Sequence, residues 1–379
     1  MNVQRRASKK IWIGSVPVGG DAPVAIQSMT NTNTGDAKAT LGQIEALAEL
    51  DCDIVRVAVP DKEAAQALRE IVSLSPLPII ADIHFDYRLA LAALKAGVHA
   101  LRLNPGNIRD PDKIRAVVAE AKARQVPIRV GVNEGSLPTL VALAEGEMPA
   151  PKWKRMVDAA LWEIGLLEEM DFDLIKVSVK SFDVPTTVQA NREIARLTPY
   201  PMHLGVTEAG LPKTGSVRNA IGIGILLAEG IGDTVRVSLT ADPTQEVPVA
   251  WDILKAVNLR QRGPTIISCP TCGRIEVDLI PLAQKVEEHF QLLGYPLTVA
   301  VMGCVVNGPG EAREADIGLA AGRDRGAIFR KGQVVRIVAE KDFLSALIEE
   351  GYKVVAEKGW SGGPEGRPRS GPEPAPIAG

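Results

Sequence analysis

The sequence predicts an N-terminal TIM-type (β/α)8 barrel followed by a smaller C-terminal α/β domain. Three observations carry that expectation. Residues 24–258 repeat one pattern eight times: a short β-rich run, a loop, then a helical stretch. Strands alternating with helices imply parallel βαβ units, and eight units match the roughly 250 residues such a barrel takes. No Gly-rich phosphate fingerprint follows the first strand, which argues against an open doubly wound sheet. The chain then changes character at "LRQRGP", 259–264.

The barrel strands read, in order, as "VAIQSM" (24–29), "DIVRVAV" (53–59), "PIIADI" (78–83), "HALRLN" (99–104), "PIRVGV" (127–132), "DLIKVSV" (173–179), "MHLGVT" (202–207) and "TVRVSL" (234–239). Each is short, and most are rich in β-branched residues. Between them, segments such as 38–50, 62–73, 86–96, 112–124, 153–170 and 214–229 are rich in Ala, Leu, Glu and Lys and read as helices, and the helix that follows the eighth strand covers roughly 244–258. Beyond 264, "TIISC", "LTVAVMG", "ADIGLA" and "QVVRIVA" read as strands, and 278–292 and 341–350 as helices. The expected divisions are a barrel over 1–260, an α/β domain over 261–358 and a disordered Gly/Pro-rich tail over 359–379.

Composition excludes several classes. A net charge of −3 offers no global attraction to nucleic acid or an anionic membrane. No apolar run approaches the ~20 residues that span a bilayer. The basic N-terminus has only a short, Gly- and Pro-broken apolar segment and reads as no signal peptide. Four cysteines in 379 residues are too few for a disulfide scaffold. A cytoplasmic protein with metal-binding thiolates fits better.

Four strands carry an Arg between two apolar residues: Arg56, Arg102, Arg129 and Arg236; a fifth carries Lys176. Strand side chains alternate faces, and the outer face of a barrel strand packs on helices. The flanking Val, Ile and Leu therefore belong outside and the cations inside. The same parity turns Lys180 inward and groups Asn104, Asn133 and Ser238 with the cations. One such Arg would be an ordinary core ion pair. Five cationic strands repel unless something neutralises them, and the inward carboxylates are few, Asp82 and Glu208 among them. Guanidinium forks suit phosphate oxygens, so the arrangement points to a diphosphate at the C-terminal mouth. "ADIHFD" adds His84 at the end of the third strand, and "HLGVTEAG" adds His203 and Glu208 at the end of the seventh, where barrel active sites lie.

"SCPTCGR" (268–274) sets Cys269 and Cys272 three apart, and Cys304 follows in "GCVVNGPGEA" (303–312). A CxxC alone suits a zinc knuckle, but no second pair closes one here. Cys52 lies before the second strand, away from the mouth, and reads as a small buried hydrophobe. His289 has no partner at ligand spacing. Glu311, across a Gly-Pro-Gly turn from Cys304, is the remaining candidate. Three thiolates and a carboxylate suit an iron–sulfur cluster with one harder ligand better than structural zinc.

Taken together, "QSMTNT", "ADIHFD", "LRLNPGN", "VGVNEGSL", "VSVKSFD", "HLGVTEAG", "ISCPTCGR" and "GCVVNGPGEA" resemble the bacterial 4-hydroxy-3-methylbut-2-enyl diphosphate synthases, from about residue 4 to 355. The compact two-domain form is the one matched. The resemblance implies reductive opening of 2-C-methyl-D-erythritol 2,4-cyclodiphosphate with loss of water. It implies one 4Fe–4S cluster per chain on Cys269, Cys272, Cys304 and Glu311, and electrons from flavodoxin or ferredoxin. It assigns diphosphate binding to Arg56, Arg102, Arg129, Asn133, Lys180, Arg236 and Ser238, and sets His203 and Glu208 near the reacting carbons.

Topology adds a homodimer. Barrel helices run antiparallel to the strands, so the eighth ends at the bottom face. A linker of a few residues, at about 3.5 Å each, cannot climb the barrel to its own mouth. A head-to-tail pair, each cluster covering the partner's mouth, is expected, as the resemblance also implies. Two other readings stay open: a phosphate-binding lyase or synthase with a structural zinc domain, and a non-enzymatic iron–sulfur carrier or sensor.

Overall fold

The computed structural model describes residues 3–84, 86–103, 110–137, 150–304, 310 and 312–360. Asn104, Glu311 and the tail from 361 lie outside them. Contacts divide the chain into two units after Arg260.

The first unit is the predicted barrel. A hairpin, β1 (Ile11–Ile13) and β2 (Val16–Val18), precedes it. The barrel strands are β3 (Ala25–Met29), β4 (Ile54–Ala58), β5 (Ile79–Ile83), β6 (Ala100–Leu103), β7 (Ile128–Asn133), β8 (Ile175–Lys180), β9 (His203–Leu204) and β10 (Thr234–Val235). Neighbours pair in parallel from β3 to β8, and β10 lies between β3 and β9. A parallel bridge from Val177 to Met202 joins β8 to the start of β9 and closes the ring.

The helices are α1 (Ala37–Glu49), α2 (Lys62–Leu74), α3 (Tyr87–Ala96), α4 (Pro111–Ala123), α5 (Lys152–Glu168), α6 (Val184–Leu197), α7 (Pro212–Ala228) and α8 (Glu246–Ala256). Asp36, Asp61, Asp86, Asp110 and Asp183 cap α1, α2, α3, α4 and α6, each accepting a backbone N–H of the first turn. Such a cap contributes about 1 kcal/mol and fixes where the loop ends and the helix begins. The outward Val55, Val57, Leu101, Leu103, Ile128, Val130, Ile175 and Val177 join one core with the helices. Inside, the lowest layer is apolar: Ala25, Ile54, Ile80 and Ala100 meet Ile11, Ile13 and Val18 of the hairpin. The hairpin thus stoppers the bottom, and the polar interior opens only at the strands' C-terminal ends.

In the second unit, β11 (Thr265–Ser268), β12 (Thr298–Met302) and β13 (Ile317–Ala321) run parallel, and β14 (Arg325–Arg330) and β15 (Gln333–Ala339) continue antiparallel. Helices α9 (Leu279–Leu293) and α10 (Phe343–Glu357) cover one face through Val286, Phe290, Leu347 and Val354. Two features differ from the expectation. "RGAIFR" is a strand, β14, which turns tightly into β15 through Lys331 and Gly332, both at positive φ. Helix α10 runs on through Gly351 instead of stopping at 350, and a Cβ at Gly351 would lie 2.5 Å from the Phe290 ring. That glycine admits a close helix contact; it does not end the helix. No helix among the described residues is long and apolar enough to cross a membrane.

Candidate active site

Strand register gathers the cations. Arg102, Arg129 and Lys176 are successive partners across β6, β7 and β8, while Arg102 also faces Asp82 of β5. Asn133 pairs with Lys180 two layers higher, four residues further along the same strands. Arg56, Arg102, Arg129, Lys176 and Lys180 are all buried, as is Asp82. Asp82 accepts from Arg102 Nη1 at 3.2 Å and lies 3.6 Å from Arg56 Nε. Burial pushes its carboxyl up, but Arg56, His84 and Arg102 outweigh that and hold it below the usual carboxylate range. Half-exposed His84 stands beside it, with Nδ1 3.3 Å from Arg102 Nη1.

A second carboxylate, Glu246 in the first turn of α8, holds the opposite wall. It is 3.4 Å from both Arg236 Nε and Ser28 Oγ, and its other oxygen accepts from Leu239 N at 2.9 Å. Among the described residues, six cations thus share the carboxylates of Asp82 and Glu246. Burial lowers the Arg56 pKa to about 10 and pushes Arg129, Lys176 and Lys180 well down, with the neighbouring arginines adding to the effect. Most telling are the donors. Arg56 Nε, Arg102 Nε, and both Nε and Nη1 of Arg129 are buried without a hydrogen-bond partner. Orphaned buried donors are costly, so a site that keeps four of them on guanidinium groups is built to receive acceptor oxygens.

Lys180 Nζ lies 3.1 Å from His203 Nε2, and His203 Nδ1 lies 2.8 Å from Thr234 Oγ1. The imidazole thus bridges Lys180 and Thr234. Gly205 makes room: a Cβ there would fall 2.6 Å from Lys180 Nζ. Glu208 is exposed at the mouth and takes φ +55, a left-handed backbone rare outside glycine. Arg218 Nη1 bonds Ala209 O at 2.9 Å, and Thr240 N bonds Gly210 O at 2.9 Å, which fixes this loop.

In the second unit, Cys269 follows β11 and Cys304 lies two residues past β12, its parallel neighbour. Gly303 N donates to Cys269 Sγ at 3.3 Å, and Glu276 N to Gly303 O ties the CxxC loop to the same strand end. Cys304 is buried and Cys272 exposed. Hydrogen bonds from Arg274 lower the Cys272 thiol, whereas burial pushes Cys52 up to about 12. Gly303 sits in close quarters: a Cβ there would stand 3.1 Å from Leu279, 3.4 Å from Ile275 and 3.7 Å from the Cys269 sulfur. Among the described residues no three His, Cys, Asp or Glu side chains already stand around one point. Soft thiolates on adjoining strand ends nonetheless fit an iron–sulfur cluster by the chemistry of the donor set.

The GcpE TIM-barrel domain matches residues 8–251, and the GcpE protein C-terminal domain matches 265–353. The 4-hydroxy-3-methylbut-2-en-1-yl diphosphate synthase (flavodoxin) of Dehalococcoides mccartyi strain BAV1 is 54% identical over 92% of this chain and 99% of its own. That of Geobacter sulfurreducens is 55% identical over 93% and 99%, and that of Lawsonia intracellularis 55% over 94% and 99%. The chain belongs to the 4-hydroxy-3-methylbut-2-en-1-yl diphosphate synthase family.

In this synthase some side chains stand elsewhere than their sequence positions suggested. His203 opens β9 instead of ending it, and is fully buried below Lys180, level with Thr234. Arg236 and Ser238 lie past the two-residue β10. The ladder stops there because side chains take over its hydrogen bonds. Asn219 of α7 donates to Ser238 O at 3.1 Å, and Glu246 takes the Leu239 N–H. Glu246 and Asn219 escaped the sequence reading, although a signal existed for Glu246. It shares the inner face of α8 with Ala250, Ile253 and Leu254, so helical periodicity alone turns it inward.

The buried imidazole has a testable consequence. Burial first, then Lys180 and the arginines, drive the His203 pKa well below its ordinary value. A base depressed on folding binds its proton more readily in the unfolded chain. Stability is therefore fully present above pH ~6.5 and falls as pH drops below it, by about 1 kcal/mol at pH ~5.5. His203→Asn should lack this decrement. Urea midpoints at the two pH values check it, and equal slopes in variant and parent would exclude a neutral buried imidazole.

Proposed function

We propose that this chain converts 2-C-methyl-D-erythritol 2,4-cyclodiphosphate to 4-hydroxy-3-methylbut-2-enyl diphosphate by reductive ring opening and dehydration, supplying isoprenoid precursors in the cytoplasm. Two electrons and two protons enter, and one water leaves. Besides family membership, the observation that carries this reading is the set of orphaned guanidinium donors at the barrel mouth.

Ring opening breaks a carbon–oxygen bond to phosphate, and that oxygen keeps the electron pair. Charge on the diphosphate therefore grows along the reaction. Arg56, Arg102, Arg129 and Arg236, with Lys180, Asn133 and Ser238 beside them, would grip the diphosphate and strengthen their hold as the charge grows. Preorganised donors of this kind lower the barrier instead of merely tightening binding. His203 would hold Lys180 in place through Nε2. Glu208, at the rim, is the candidate for delivering a proton or stabilising charge beside the reacting carbons. A 4Fe–4S cluster held by Cys269, Cys272, Cys304 and Glu311, one per chain, would supply single electrons drawn from flavodoxin or ferredoxin.

Glu246 should matter without touching substrate, since it fixes both Arg236 and the backbone after Ser238. Glu246→Ala should lower kcat/KM roughly 10- to 100-fold, the range for losing a hydrogen bond to a charged group. Glu246→Gln, which retains an acceptor for Leu239 N, should lose less. Steady-state kinetics with a chemical reductant would measure both, and equal activity of all three proteins would remove Glu246 from the site.

The head-to-tail homodimer is part of the proposal. Arg260 bonds Val24 O at 3.1 Å, pairs with Asp53 and stacks on Trp251 at 4.2 Å. Val24 and Asp53 precede β3 and β4, so the chain leaves the barrel at its bottom, opposite the mouth.

The test of function is anaerobic reconstitution, followed by reduction of the cyclodiphosphate with dithionite. The linear allylic diphosphate is the expected product. Full iron and sulfide loading without product would overturn the assignment. One zinc per chain and no sulfide would favour a phosphate-binding lyase or synthase with a structural zinc domain.

A further inference from the structure

Strand β3 interrupts the run of cationic strands. It carries Ala25, Gln27 and Met29 on its inner face, while Arg56 of β4 stands on one side and Arg236, just past β10, on the other. The Met29 sulfur fills the gap between them. Arg56 Nη2 lies 3.0 Å from Sδ, and Arg236 Nη1 lies 3.8 Å from it. The Nε side of each guanidinium is turned to a carboxylate instead. Asp82 stands 3.6 Å from Arg56 Nε, and Glu246 stands 3.4 Å from Arg236 Nε. One line of contacts, Asp82–Arg56–Met29–Arg236–Glu246, therefore follows the wall across β5, β4, β3 and β10 into α8. The sulfur is at its centre, between two cations that repel each other.

We propose that Met29 is a positioning residue for the diphosphate: its thioether holds Arg56 and Arg236 side by side as a weak, neutral acceptor that yields to phosphate oxygens. The inference rests on the reading of the barrel mouth as a diphosphate site, and it adds the residue that spaces two of its arginines. A thioether sulfur accepts only weakly. It can align guanidinium N–H groups without competing with phosphate oxygens, whose charge-assisted bonds are about twice as strong as neutral ones. It carries no charge, so both cations keep their attraction for an anion. It is also unbranched and flexible, so it can follow the arginines as they move onto a ligand. Leucine would leave their N–H groups unpaired, and glutamate would bind them permanently.

The arrangement has a functional consequence. Both carboxylates stand farther from their arginines than the 2.7–2.9 Å of a full charge-assisted bond. Without an acceptor between them, each arginine would close that gap, Arg56 onto Asp82 and Arg236 onto Glu246, and turn away from the ligand. Met29 offsets that pull. The two guanidinium groups then stay poised between wall and ligand, and donors already in place are what a growing negative charge requires.

Calorimetric titration of the reconstituted full-length enzyme with inorganic pyrophosphate tests the proposal without turnover. Met29→Leu, of similar volume at a half-buried position, should keep the parent unfolding midpoint and iron content. It should bind pyrophosphate about tenfold more weakly, the loss of one modest hydrogen bond. Met29→Gln restores a neutral acceptor and should recover to within about threefold of the parent. Met29→Glu should melt above the parent, because it sets a negative charge between two repelling cations. It should also bind about 100-fold more weakly, because its charge-assisted bonds must break first. The kcat/KM for the cyclodiphosphate should follow the same order. A side chain that only fills space predicts the opposite order, with Leu equal to the parent and Gln below it. That result, or a Met29→Glu protein that binds as tightly as the parent, would sink the proposal and leave the diphosphate site standing. A parent that binds no pyrophosphate would sink both.

Discussion

Arg129→Met should abolish most turnover while raising the stability of the free protein. Arg129 is fully buried, has two donor atoms without a partner, and forms no ion pair within 4 Å among the described residues. Arg56 and Arg102 repel it more strongly than Asp82 attracts it. A buried charge held this way costs stability, and an apolar side chain of similar volume removes that cost, by about 1–4 kcal/mol in comparable replacements. With a dianionic ligand bound, the balance reverses. Losing one partner of a buried charge pair then costs about 2–5 kcal/mol, or roughly 30- to several-thousand-fold in kcat/KM. Thermal melts with and without inorganic pyrophosphate separate the two effects. The parent should gain stability on adding it; Arg129→Met should start higher and gain little. A variant that melts lower than the parent and turns over normally would show that the orphaned donors serve packing and not an anion.

The same residues show why part of this site was legible in the sequence and part was not. Parity along a strand is a rigid constraint, so one Arg between two aliphatic residues fixes which way it points. Four such triplets and one Lys triplet outlined the cationic interior without coordinates. Depth along the barrel axis is different, because it depends on stagger between strands that are distant in sequence. His203 illustrates this: its parity was readable, but its level beside Thr234 follows from pairing of β9 with β10 and of Met202 with Val177. Arg236 and Ser238 illustrate a second limit. Their strand ends early because Asn219 and Glu246 supply hydrogen bonds from two helices, and nothing local announces that exchange. The hairpin that stoppers the barrel was invisible for a simpler reason. Strands of three residues, "IWI" and "VPV", carry too little periodicity to count. In the second unit, the helix expected over 341–350 runs on to Glu357, and a glycine at 351 is compatible with either a helix end or the close approach that the Phe290 ring makes here.

Cys304→Ser should separate the two halves of the chemistry. Cys304 is the buried thiol of the set, at the end of a central parallel strand. Serine fills nearly the same volume, so the sheet and its α9–α10 cover should stay folded. Its hydroxyl is a hard, poorly ionised donor and a weak substitute for a thiolate toward an iron–sulfur cluster. Iron and sulfide per chain should fall, the broad visible absorption should fade, and turnover should drop by more than the roughly 100-fold typical of losing an outer-shell partner. The cationic mouth is built from other residues on β4 to β10 and needs no electrons to bind an anion. Calorimetry should therefore still register heat when the cyclodiphosphate meets the barrel of this variant. Arg129→Met should give the converse result, with full iron and sulfide content and normal colour but weak binding. If Cys304→Ser instead keeps its colour and its activity, Cys304 is no ligand, and the electron path cannot run through these strand ends. If both variants lose colour together, the barrel and the thiol domain do not act as the separable binding and redox parts proposed here.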